Sequence, residues 1–163
     1  MHPSYIVACK KAGRMVAEDD FEWGNPRNGF VDQLTSSLEK KLAAASFKWR
    51  VEVQSGRSKG ALEGIRAIVH SNKQLRVESF SRLVSLGGGK VVKAEPPYSD
   101  PKDANHCLYE KVTNVFVDFK ALAANGVAVV GPVFINDYLV SDTKPKVEDC
   151  LVEDFKTYWH ARR

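Results

Sequence analysis

Residues 85–92 read Ser-Leu-Gly-Gly-Gly-Lys-Val-Val, and the reading of this stretch decides the fold. Three glycines ahead of a lysine suggest a phosphate cradle. Such a cradle works where glycines open a helix, because the free N–H groups and the positive end of the dipole lie at the helix N-terminus. Here the glycines follow "VESFSRLVSL", in which Phe80, Leu83, Val84 and Leu86 recur at helical spacing. A Walker-type loop also needs a hydroxyl after its lysine to reach magnesium, whereas Lys90 is followed by Val91. Gly87 to Gly89 are therefore expected to cap a helix in a left-handed conformation and turn the chain into a strand.

On either side of this corner, strands alternate with helices. "GIRAIVHS" (64–71) reads as a buried first strand and "KVVKA" as the second. "VTNVFVDF" (112–119) is expected to be the third. "GVAVVGPVFINDYLVSD" supplies a short fourth strand and then a helix carrying Phe134, Ile135, Tyr138 and Leu139. The intervening "DPKDANHCLYEK" (100–111) reads as a polar, mobile surface loop. The alternation implies an α/β fold with a four-stranded parallel sheet flanked by helices.

The N-terminal third has a different pattern. Tyr5, Ile6, Cys9 and Ala12 predict a short helix closed by Gly13. "RMVAEDDFEWG" follows as an acidic, extended tail with aromatic anchors. Phe30, Val31, Leu34, Leu38, Leu42, Ala45 and Trp49 predict a long helix from about Gly29 to Val53, ended by the polar linker "SGRSKG".

Composition narrows the function. The 163 residues are 44% apolar and 27% charged, as in an ordinary globular chain. The 24 basic and 20 acidic residues interleave, so a net charge of +4 gives at most weak nonspecific attraction to nucleic acid. No apolar run approaches the roughly 20 residues that span a bilayer, and the N-terminus lacks the pattern of a signal peptide, so an intracellular protein with no membrane partner is expected. Cys9, Cys107 and Cys150 are odd in number and far apart, which predicts reduced thiols. His70, His106 and His160 with Cys107 lack metal-ligand spacing. Asp118, Asp137 and Asp142 form no recognisable acid–base pair, and Trp23, Trp49 and Trp159 read as packing anchors. No catalytic residue, metal or cofactor is expected.

The order "GIRAIVHS", "FSRLVSLGGGKVV", "VTNVFVDF", "VVGPVFINDYLVSD" resembles a BRCT repeat across residues 61–155. "PSYIVACKKAGRMVAEDDFEWG" is similar to the last helix and exit tail of a preceding repeat. That resemblance implies a remnant at 1–24, a linker with a long helix at 25–60, the repeat at 61–155 and a tail at 156–163. "DFEWG", "LAAASFKWR", "GALEGIRAIVH" and "PKVEDCLVEDF" further resemble the C-terminal paired repeats of the DNA topoisomerase II-binding checkpoint protein family.

The resemblance implies a noncatalytic nuclear scaffold module that recognises phosphorylated checkpoint or repair proteins in the DNA-damage and replication response. By position, the Ser71 hydroxyl, the Asn72 backbone N–H and the Lys120 ammonium would clamp a phosphate, whose charge near −2 gains most from such donors. Phe80, Val84 and Leu139 would form an exposed apolar face open to self-association. The alternative is DNA binding, with Lys73, Arg76, Lys90 and Lys93 on the phosphate backbone.

Overall fold

The computed structural model describes residues 1–141 and 143–162, which fall into one compact unit of Met1–Ser58 and a second beginning at Lys59. The first unit opens with helix α1 (Ser4–Ala12), ended by Gly13 at φ 64° as the spacing predicts. The continuous helix expected from Gly29 does not form. Phe30–Gln33 is a single 3₁₀ turn, and helix α2 runs Ser37–Gln54. Ser36 resets the start: its side chain accepts from Glu39 N–H while the Glu39 carboxylate accepts from Ser36 N–H, a reciprocal cap that satisfies two otherwise orphaned donors.

The acidic tail lies along α2. A Cβ built on Gly24 would sit 1.8 Å from the Ala43 carbonyl oxygen, so only glycine permits this approach. Arg50 Nε donates to Glu22 at 2.7 Å, and its Nη1 reaches Asp19 at 3.3 Å. His2 stacks on Phe30 with ring centroids 3.8 Å apart, and Trp23 meets His2 edge-on.

The second unit comprises β1 (Arg66–His70), α3 (Gln74–Leu86), β2 (Lys90–Val91), β3 (His106–Tyr109), α4 (Phe119–Ala124), β4 (Ala128–Val130), α5 (Val133–Val140), α6 (Val147–Cys150) and α7 (Glu153–Ala161). The sheet has the order β2-β1-β3-β4 and is parallel throughout, as expected. Its central strands β1 and β3 carry Ala67, Ile68, Cys107 and Leu108, and β4 beside them carries Val129, all buried, as a sheet covered on both faces requires. Residues 156–161 continue α7, which buries Phe155 and Trp159 four residues apart on one face.

The triple glycine is a helix stop. Gly88 lies at φ 82°, its N–H donates to Ser85, and Gly89 N–H donates to the Val84 carbonyl. Gly87 N–H donates to Leu83. This is a Schellman ending, in which the glycine amides satisfy the last carbonyls of α3. Lys90 N–H then donates to Ile65 and starts β2.

The third strand is not where periodicity placed it. Residues 112–118 are irregular and Phe119 already begins α4, with Asn114 at φ 65° and Phe116 73% exposed. The strand is His106–Tyr109, inside the stretch read as a mobile polar loop, and His106, Cys107 and Leu108 are buried between β1 and β4. Four residues covered on both faces show no alternation, whereas the longer β-branched run nearby imitates it.

Candidate functional site

In a sheet ordered β2-β1-β3-β4 the chain leaves β1 for β2 on one side and later returns to β3 on the other. The loops after β1 and β3 therefore diverge, leaving a crevice at the carboxyl ends of the strands, where open α/β sheets place ligands. Ser71 and Glu110 stand at the two lips, each immediately after its strand. Ser71 Oγ donates to Glu110 Oε2 at 2.7 Å and accepts from Lys73 N–H at 3.2 Å, bracing the turn into α3. Arg76, on the first turn of α3, pairs with the other Glu110 oxygen. The Glu110 carboxylate thus bridges the Ser71 hydroxyl and the Arg76 guanidinium.

Ser71 and Asn72 line one cavity of about 470 Å³ with residues from α3, from the segment after β2 and from the 112–115 loop. Lys120 lines a different cavity with Tyr158 and Arg162, between α4 and α7. The structure thus joins the first two members of the expected phosphate clamp and sets the third in a neighbouring depression. Lys120 is held on α4 because Asp118 caps that helix, accepting from Ala121 N–H at 2.9 Å. Asp118 is accordingly a structural cap, Asp137 is an exposed position on α5, and Asp142 lies outside the described residues.

The expected apolar face needs correction. Val84 is fully buried and packs where a Gly89 side chain would otherwise intrude, so it cannot contact a partner. Phe80 and Leu139 are half-buried. The large apolar residues that α3 does expose are Leu75, Leu83 and Leu86. Among the basic residues of the DNA alternative, Lys90 pairs with Asp103 at 2.7 Å and Arg76 with Glu110, while Lys73 and Lys93 are exposed.

The histidines have separate surroundings. His106 stacks on Phe134, and burial, aided by Arg66, lowers its pKa to about 4. His70 is buried, stacks on Tyr109 and shares a 2.7 Å hydrogen bond with Tyr98, and its pKa is likewise lowered by burial. Burial pushes the Cys107 thiol up to about 12, which leaves it protonated and unreactive. Among the described residues no group of three His, Cys, Asp or Glu side chains converges as a metal site, and no helix is long and apolar enough to cross a membrane. Sequence reasoning named Ser71 and did not name its partner Glu110 or the partner of His70, Tyr98. Glu110 becomes visible only once "HCLY" is recognised as a strand.

No family model matches this chain. The chain is similar to a BRCT domain-containing protein of Arabidopsis thaliana, 28% identical over 96 residues, a match covering 58% of this chain and 7% of that relative. The chain thus corresponds to a small part of the relative's length. The parallel sheet and its flanking helices are consistent with the BRCT fold, and with this similarity they support a BRCT-like family and a protein-interaction module of the generally noncatalytic kind.

Proposed function

We propose that this chain is a protein-recognition module whose ligands are phosphorylated segments of partner proteins, acting in the nuclear response to DNA damage and replication stress. The observation that carries the phosphate reading is the Ser71 hydroxyl at the carboxyl end of β1, beside Asn72 on one cavity and linked through Glu110 to the Arg76 guanidinium. Hydroxyl and cationic donors are the groups that favour a phosphate near −2 over a neutral hydroxyl. Lys120, on a separate depression, would add long-range attraction. The sequence resemblance to the C-terminal paired repeats of the topoisomerase II-binding checkpoint family favours the same assignment, in which residues 1–24 would be the end of a preceding repeat.

Titration with matched phosphorylated and unphosphorylated peptide libraries tests this reading, repeated on Ser71→Ala and Lys120→Ala. Preference for the phosphorylated library that Ser71→Ala abolishes is the expected result. Equal affinity for both libraries removes the phosphate reading. A steep loss of binding with salt together with indifference to phosphorylation would transfer the assignment to DNA.

A further inference from the structure

Between α4 and α7 lies a depression of about 640 Å³ that does not include Ser71. Its floor is built from small residues. Ala124, Gly126 and Ala161 carry at most a methyl group, and a Cβ built on Gly126 meets nothing within 4 Å. Such a floor leaves room for a large side chain from outside. Tyr158 forms a wall: it is 43% exposed, and its ring meets Phe119 edge-on with centroids 6.0 Å apart. A ring supplied by a partner can pair with it in an offset or edge-on arrangement.

The charges of the lining have one sign. Lys120 and Arg162 belong to it, and among the described residues no Asp or Glu joins them. Acids nearby in the chain are already engaged: Asp154, one turn before Tyr158 on α7, pairs with Lys111, and Asp118 caps α4. Lys120 is exposed and has no ion-pair partner among the described residues, whereas the Arg162 guanidinium lies over the Trp159 ring. Cationic and apolar surfaces side by side suit a guest that carries an anionic group next to an apolar body. A lysine ammonium is a compact point charge and matches a singly charged carboxylate, while a phosphate near −2 would keep part of its charge uncompensated. Single-stranded nucleic acid calls for a track of cations along its backbone, which this lining lacks.

We propose that the groove between α4 and α7 docks an acidic aromatic segment of a partner protein, a phenylalanine flanked by aspartate or glutamate. The ring lies on the alanine and glycine floor against Tyr158, and a flanking carboxylate pairs with Lys120. The inference rests on the reading of the chain as a protein-recognition module, to which it adds a second contact surface apart from the Ser71 cavity.

The test titrates the full chain with the capped tripeptide Asp-Phe-Glu and follows the Tyr158 ring protons and the Ala124 and Ala161 methyl groups by NMR. Two twins serve as controls, Asn-Phe-Gln without the charges and Asp-Ala-Glu without the ring. Asp-Phe-Glu is expected to shift all three signals and to bind more tightly than either twin. Lys120→Gln should weaken its binding roughly threefold, the loss of one exposed ion pair, and leave that of Asn-Phe-Gln unchanged. Ala124→Leu, at an exposed helix position, fills the floor while keeping both cations and should abolish the shifts. Unmoved signals, equal affinity for Asp-Phe-Glu and either twin, unchanged binding in Lys120→Gln or Ala124→Leu, or tighter binding of an oligothymidylate than of Asp-Phe-Glu would each overturn the proposal. The tripeptides carry no phosphate, so their failure leaves the phosphopeptide reading standing, and a phosphopeptide titration without preference leaves the groove result intact.

Discussion

Ser71 and Glu110 tie the loop after β1 to the loop after β3 through a hydrogen bond of 2.7 Å. A carboxylate therefore occupies the hydroxyl that a phosphate would use, and it also holds Arg76. Any anionic ligand reaching Ser71 must compete with Glu110. Glu110→Gln removes that competing charge and releases the guanidinium, so affinity for a phosphorylated peptide should rise by roughly threefold to tenfold, while affinity for its unphosphorylated twin stays constant. Calorimetric titration of both peptides measures this, and equal changes for the two would show that Ser71 does not read phosphate.

Val84 and Leu86 lie on the same helix with opposite fates. Val84 is fully buried and Leu86 is 76% exposed. Val84→Ala should destabilise the fold by about 2 kcal/mol through lost burial and a residual cavity, whereas Leu86→Ala should stay within about 0.5 kcal/mol. Urea denaturation of both variants gives the comparison.

Gly88 should tolerate no side chain. It combines φ 82° with a position where a Cβ would lie 2.7 Å from the Lys59 carbonyl oxygen. Gly88→Ala is expected to cost at least about 1–2 kcal/mol. Gly131, with open space around its Cα, provides the control, and Gly131→Ala should be close to neutral in the same denaturation assay.

Acid should unfold the protein partly through its buried histidines. Burial lowers the pKa of His106 to about 4 and lowers that of His70 in the same direction. Below the unfolded value of about 6.5 the unfolded chain binds protons that the native state refuses, so stability is complete above that pH and declines as pH falls. For His106 the decline continues to about pH 4, where the native state protonates as well. The loss across this window should be a few kcal/mol, and His106→Phe should flatten it if the variant folds. Denaturant midpoints between pH 7 and pH 4 record the slope.

Hydrogen exchange distinguishes the strand that forms from the one that periodicity suggested. Amides of Cys107, Leu108 and Tyr109 lie in a ladder between β1 and β4 and should exchange slowly. Those of Val115 and Phe116, in an exposed irregular segment, should exchange many times faster.

Local chemistry made much of this protein readable from its residues alone. The 3.6-residue spacing of Phe80, Leu83, Val84 and Leu86 marked α3, the three glycines marked its end, and the β-branched cores of "RAIVH" and "VAVV" marked β1 and β4. These signals are short-range: backbone dihedrals, capping bonds and side-chain spacing act within a few residues. They also placed Ser71 at the end of β1, since a strand's last residue follows from its pattern.

Tertiary packing decided the remainder. Whether "HCLY" or "VTNVFVDF" became β3 depended on which segment could lie between β1 and β4, a choice that neither run contains. Which side of α3 turned inward, burying Val84 and exposing Leu86, depended on the strands beneath it. The partners of Ser71 and His70 lie 39 and 28 residues away, at Glu110 and Tyr98. Spacing along a chain encodes neighbours on one element, whereas contacts across a sheet exist only after the strands have chosen their order.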